Sequence, residues 1–140
     1  MKITRRQFVL GSAALLLTAP FSQTFAAQVL SASEAYKQAA AGQIVLIDIR
    51  TPEEWVQTGS GAAAKRLDMR RDDFVSALDK LLGGNRSKPV ALICADGVRS
   101  SRLSRALRNE GYTNIIDVPE GMMGSYAGPG WLVRGLPVVE

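Results

Sequence analysis

Residues 89–109 read Pro-Val-Ala-Leu-Ile-Cys-Ala-Asp-Gly-Val-Arg-Ser-Ser-Arg-Leu-Ser-Arg-Ala-Leu-Arg-Asn, and the fold turns on how they are read. Val90-Ala91-Leu92-Ile93 is short, apolar and uninterrupted, the pattern of a strand buried on both faces. Leu103 and Leu107 stand four apart with Ala106 beside them, so they share a helical stripe. Ser100 and Ser101 are suitable N-caps for that helix, and Gly111 is its expected C-terminal stop. Between strand and helix sits Cys94, the only cysteine of the chain, followed by Ala95, Asp96, Gly97, Val98 and Arg99. A strand that turns directly into a helix leaves the backbone N–H groups of the turn free. Those donors and the helix dipole converge on an anion or an anionic thiolate. Gly97 can take the positive φ of such a tight turn. Cys94 is therefore expected to be a reactive thiol whose ionised form is favoured and open to a small molecule. The plainer alternative is a small buried cysteine at a strand end.

Outward from this block, strand-like and helix-like runs alternate. Ser31 or Ser33 can cap a helix that runs through Ala40, with Glu34 in its first turn and Gly42 after its end. Ile44–Ile47 is an apolar strand with Asp48 at its carboxyl end and Arg50 on the exit loop. Thr51-Pro52-Glu53-Glu54 carries a cap, a proline at the first helical position and acids in the first turn. Trp55 and Val56 are expected to face inward. Thr58–Gly61 reads as a flexible loop and Ala62–Ala64 as a short strand. Asp72–Leu82 reads as an amphipathic helix with Phe74, Val75, Leu78, Leu81 and Leu82 on its apolar side, closed by Gly83-Gly84-Asn85. Ile115–Val118 is a further strand. Met122, Met123, Tyr126 and Trp131, on and just beyond a glycine-rich connection, are expected to lid the core. The alternation predicts an α/β domain, a mainly parallel sheet flanked by helices on both faces. In such sheets the ligand site lies beyond the carboxyl ends of the strands, where Asp48 and Cys94 both stand.

The chain has 140 residues, 46% of them hydrophobic and 21% charged, which suits one globular domain rather than disorder. Residues 1–26 read as an export signal and 27–140 as the domain. Thr4-Arg5-Arg6-Gln7-Phe8-Val9-Leu10 is a twin-arginine pattern, Val9–Ala19 is the apolar segment, and Thr24-Phe25-Ala26 offers a signal peptidase its small residues. Sec export and an uncleaved anchor are the alternatives, although the apolar run falls short of the roughly 20 residues of a spanning helix. The expected location is the bacterial periplasm, reached through export machinery and signal peptidase, with no stable membrane anchor after cleavage. Three of the 17 basic residues (Lys2, Arg5 and Arg6) lie in this leader, leaving 14 against 13 acidic residues, a net +1. That near-neutral balance argues against nucleic acid as a partner. A lone cysteine cannot close an internal disulfide.

The block Cys94, Gly97, Arg99, Ser100 resembles the Cys-x-x-Gly-x-Arg-Ser motif of the rhodanese family of sulfurtransferases. Leu46-Ile47-Asp48-Ile49-Arg50-Thr51-Pro52-Glu53-Glu54-Trp55 resembles the early Asp-Val-Arg…Glu-Phe/Trp motif of the same family. Gly111-Tyr112 through Gly121-Met122, and Gly135-Leu136-Pro137-Val138, extend the likeness over about residues 32–139. The chain departs from the family around residues 59–64, where a His-Ile-Pro-Gly-Ala-like stretch is usual. The resemblance implies a sulfane sulfur moved from a small anionic donor such as thiosulfate to cyanide or a thiol, through a persulfide on Cys94. Backbone groups of Ala95, Asp96, Gly97, Val98, Arg99 and Ser100 would cradle the donor. Arg99 is expected either to attract it or to form a salt bridge at the rim, whereas Asp96 places negative charge against it. Asp48 and Arg50 are expected to support the site, as a pair that pins the loop.

The chain contains no histidine. Cysteine hydrolysis with an imidazole base is thereby excluded. One cysteine and scattered carboxylates also make a metal site improbable, and no cofactor is expected. Sulfur transfer needs no general base once the thiolate exists. Two rivals remain. A phosphatase or arsenate reductase of related fold uses Cys-x5-Arg, one residue longer than the Cys-x4-Arg spacing here. A non-catalytic sulfur-carrier or binding module would use the same fold.

Overall fold

The computed structural model describes residues 27–140, so the expected signal segment lies outside the described residues. In chain order the elements are β1 (Gln28–Val29), α1 (Ala32–Ala40), β2 (Val45–Asp48), α2 (Pro52–Thr58), β3 (Ser60–Gly61), β4 (Ala64–Arg66), α3 (Phe74–Leu81), β5 (Val90–Ile93), α4 (Val98–Asn109), β6 (Ile115–Asp117), α5 (Gly130–Val133) and β7 (Val138–Val139). Five strands form one parallel sheet in the order β1-β6-β5-β2-β4. β5 lies at its centre, and all four of its residues are fully buried, as a continuous apolar run requires. β3 and β7 pair antiparallel as a separate small ribbon.

Residues alternate between the two faces of each strand, and the core divides accordingly. On one face Ile47, Val90, Leu92 and Ile115 pack with Phe74, Leu78 and Leu82 of the α3 region and with Leu107 of α4. Phe74, Leu78 and Leu82 recur every four residues, the spacing that keeps one helical stripe on the sheet. On the other face Leu46, Ala91, Ile93 and Ile116 meet Ala32 and Ala35 of α1 and Trp131 of α5. The α/β architecture, with helices on both faces, is the one expected.

Several local expectations need correction. Helix α4 begins at Val98 with Gly97 as its N-cap, so Ser100 and Ser101 lie within its first turns and do not cap it. The left-handed backbone of Gly97 (φ 87°) turns the chain into the helix three residues earlier than side-chain capping would. Val56 is 88% exposed, because α2 lies at the sheet's end and only Trp55 turns partly inward, under the Arg66 guanidinium. Thr58 closes α2, and residues 59–61 are not a loose loop: Gly59, Ser60 and Gly61 are buried, with Ser60 and Gly61 paired to Val139 and Val138. The strand expected at 62–64 is shifted to Ala64–Arg66, where β2 offers parallel partners from Leu46 to Asp48. Helix α3 starts at Phe74 rather than Asp72, and Leu81 is 39% exposed. Of the expected lid residues, Met122 and Trp131 are fully buried, whereas Met123 and Tyr126 are exposed.

Candidate active site at the end of strand β5

Cys94 follows β5 directly, at the carboxyl end of the sheet. Its sulfur accepts the Gly97 N–H at 3.2 Å and the Ser100 N–H at 3.4 Å. The Ser100 hydroxyl lies 3.6 Å from the sulfur and donates to the Gly97 carbonyl at 3.2 Å. Gly97 and Ser100 belong to the cap and first turn of α4, whose N–H groups lack intrahelical acceptors and carry the positive end of the helix dipole. Of the six residues expected to supply the cradle, these two aim their N–H groups at the sulfur. The sulfur is not open to solvent, however. Cys94 is fully buried and packs against the α3–α4 core face.

The remaining residues of the loop are divided among other tasks. Ala95 is held from behind, its carbonyl accepting the Met123 N–H at 2.8 Å while the Cys94 carbonyl accepts that of Met122 at 2.8 Å. Asp96 is exposed, and its carboxylate takes the Val98 N–H at 3.2 Å, so that donor is withdrawn from the sulfur. The loop also presses on residues 119–121: a Cβ on Gly97 would strike the Pro119 carbonyl, and one on Gly121 would strike that of Ala95. Only glycine tolerates these approaches at positive φ.

Arg99 does stand at the rim, and it is already paired. Its guanidinium donates to both oxygens of Glu54, at 2.9 and 2.6 Å, which ties α4 to α2. Arg99 holds the Glu54 carboxyl down to about 2, against a burial effect that opposes it, and Glu54 raises Arg99 in turn. Glu54 also accepts the Thr51 N–H at 3.0 Å, completing a capping box at the start of α2. Asp48 and Arg50 form a separate, fully buried pair. Arg50 Nε donates to both Asp48 oxygens, Nη2 to Asp48 and the Gly59 carbonyl, and Nη1 to Thr58. Every guanidinium nitrogen therefore has an acceptor, and the pair locks the exit of β2 to the end of α2.

The structure adds two carboxylates that the sequence did not mark for this site. Glu54 reaches it through a partner 45 residues away, a contact no local pattern announces. Asp117 sits opposite Leu92 in the sheet, beneath the first turns of α4. Burial pushes its carboxyl above the ordinary value. An acid inside the apolar run Ile-Ile-Asp-Val was the available signal for it. Among the described residues no cluster of three or more metal-ligating side chains occurs, and no helix is long and apolar enough to cross a membrane.

A rhodanese-like domain model matches residues 31–127. The chain belongs to the rhodanese-like family. A solved polysulfide-sulfur transferase homodimer from Wolinella succinogenes is similar to this rhodanese-like chain at 29% identity, covering 81% of this chain and 78% of that one, with a TM-score of 0.60. A rhodanese-related protein from Thermoplasma volcanium is 28% identical over 80% of this chain and 97% of its own, with a TM-score of 0.57. An uncharacterized protein of Rickettsia prowazekii is 26% identical over 102 residues, 66% of this chain and 80% of that protein.

Proposed function

We propose that this rhodanese-like domain is a sulfurtransferase that carries sulfane sulfur as a persulfide on Cys94. One observation supports this reading above the others: two backbone N–H groups at a helix N-terminus converge on a solitary sulfur. Such donors stabilise a thiolate, and equally the terminal anionic sulfur of a persulfide. The thiolate attacks the outer sulfur of thiosulfate, and the sulfur–sulfur bond of the donor breaks. Sulfite leaves with the bonding pair, and Cys94 keeps an anionic outer sulfur. Cyanide or a thiolate then attacks that outer sulfur, and Cys94 recovers its electron pair as a thiolate. Neither step transfers a proton at the sulfur, so the missing histidine removes nothing that the reaction needs. The similarity to the Wolinella polysulfide-sulfur transferase makes a polysulfide a second donor to try.

Because the sulfur is fully buried, a donor reaches it only when the rim moves. The Arg99–Glu54 pair joins two elements of that rim, and its opening both admits the donor and frees a cation for it. The leader pattern at residues 4–26 supports an exported, periplasmic site of action. The test is mass spectrometry of the purified protein after thiosulfate treatment. The expected result is the gain of one sulfur atom on Cys94, removed by cyanide and absent from Cys94→Ser. Hydrolysis of a phosphate ester without that adduct would support the phosphatase reading, and neither activity would leave a binding module.

A further inference from the structure

A groove runs along the side of α4 that faces β6 and β1, and the sulfur chemistry above does not use it. Two adjoining cavities of about 400 and 250 Å³ share Ser101, Arg105, Asp117, Pro119 and Tyr126 as walls. The smaller one opens onto Asp96, Gly97 and Val98, the loop whose Gly97 N–H touches the Cys94 sulfur. The groove therefore ends against the sulfur-bearing loop.

Its wall includes two residues with polar atoms that lack partners. Asp117 is 7% exposed, and its Oδ1 accepts no hydrogen bond. Ser104 is 1% exposed, and its hydroxyl is likewise unpartnered. Both line the larger cavity. An unsatisfied buried polar group costs on the order of 1–3 kcal/mol, so two behind the wall of one cavity mark a place where a small turn of these side chains toward a ligand restores missing bonds. Arg105 and Arg108 line the same cavity, three residues apart on α4. Arg108 is braced by the Ile115 carbonyl at 3.0 Å, while Arg105 is exposed and makes no ion pair among the described residues. Tyr126 offers a fully exposed ring at the mouth.

We propose that this groove binds a small peptide-like or amino-acid-like ligand, and that it thereby selects thiol acceptors that carry both a carboxylate and an N–H donor. The carboxylate meets Arg105 and Arg108, and the N–H group meets the Asp117 carboxylate, beside Ser104 in the cavity wall. A stem lying along Tyr126 directs the thiol toward Gly97. The selection of acceptors rests on the sulfurtransferase reading; the binding of the ligand does not. In the transfer itself, the acceptor thiol loses its proton to water and its sulfur bonds to the outer sulfur of the Cys94 persulfide. The bond to Cys94 breaks, Cys94 keeps the pair, and the acceptor leaves as a persulfide.

S-methylglutathione tests binding without sulfur chemistry, because its sulfur cannot accept. Calorimetric titration into the wild-type domain should show saturable binding. Arg105→Ala, at an exposed position, should weaken it about fivefold, the value of roughly 1 kcal/mol. Asp117→Asn, nearly isosteric, should weaken it by a similar factor, with thermal unfolding confirming that both variants are folded. In turnover, Arg105→Ala should raise KM for glutathione by the same factor and leave KM for 2-mercaptoethanol and cyanide unchanged. Absence of saturable binding, or binding that neither variant alters, overturns the proposal. Equal shifts for all three acceptors overturn the selectivity. Binding that persists in a protein whose Cys94 takes up no sulfur refutes the sulfurtransferase reading and leaves the groove a ligand site.

Discussion

Replacing Glu54 with glutamine removes one charge from the rim of the site while keeping most of the local geometry. The amide oxygen of glutamine still accepts the Thr51 N–H, so the capping box survives. What is lost is the ion pair to Arg99 at 2.6 and 2.9 Å. The Glu54 carboxyl lies near 2 rather than 4.5. At about 1.4 kcal/mol per pH unit that displacement bounds the stabilisation at roughly 3 kcal/mol. Glu54 and Arg99 are 27% and 34% exposed, so solvent screening reduces the figure to about 1–2 kcal/mol. The sign follows from the lowered value: the contribution is complete above pH 4.5 and disappears as pH falls toward 2. Urea unfolding of wild type and Glu54→Gln, compared from pH 7 to pH 2.5, should show a gap of about 1–2 kcal/mol that narrows below pH 4.5. Other carboxylates titrate in both proteins and cancel in the difference. The same variant frees Arg99 for an anionic donor, so KM for thiosulfate should fall severalfold. A stability gap that is the same at pH 7 and pH 2.5 would refute the electrostatic account, and an unchanged KM would refute the gating role of the pair.

Three further outcomes follow from the same geometry. Arg50→Ala strands the buried Asp48 carboxylate and frees the end of α2; a loss of about 3–5 kcal/mol is expected in denaturant unfolding, against almost none if the pair were ornamental. Gly97→Ala places a methyl against the Pro119 carbonyl in a left-handed turn, so persulfide formation on Cys94 should drop by an order of magnitude or more while circular dichroism shows the sheet and helices retained. Asp96→Asn keeps the acceptor for the Val98 N–H and removes the exposed charge; steady-state assays should show KM for thiosulfate lowered about two- to fivefold, with the difference fading at high salt.

The sulfur-bearing loop was legible because it is local. A buried apolar run, a glycine and a leucine-striped helix within 21 residues leave the chain few ways to turn, and each constrains its immediate neighbours. The helix caps at Ser31 and Thr51 were legible for the same reason, since a capping box spans four residues. The start of α4 was misjudged because side-chain capping and a left-handed glycine compete for one helix end, and close packing against Pro119 favoured the glycine. The 59–61 segment was misjudged because its partner strand is β7, nearly 80 residues downstream, and Val56 because α2 lies at the sheet's end, where the residue stays exposed.

The amino-acid sequence alone determined the alternation of strands and helices, the parallel α/β architecture and the placement of one cysteine at a strand–helix junction, because hydrophobic period and turn chemistry act over a few residues. Only the tertiary structure decided that the sulfur is buried, that Arg99 is already held by Glu54, that Arg50 is fully engaged, and that Asp117 and Ser104, each with an unpartnered polar atom, line a groove beside α4. Those facts depend on which distant side chains are brought together and on what they exclude from water, and no short stretch of chain encodes either.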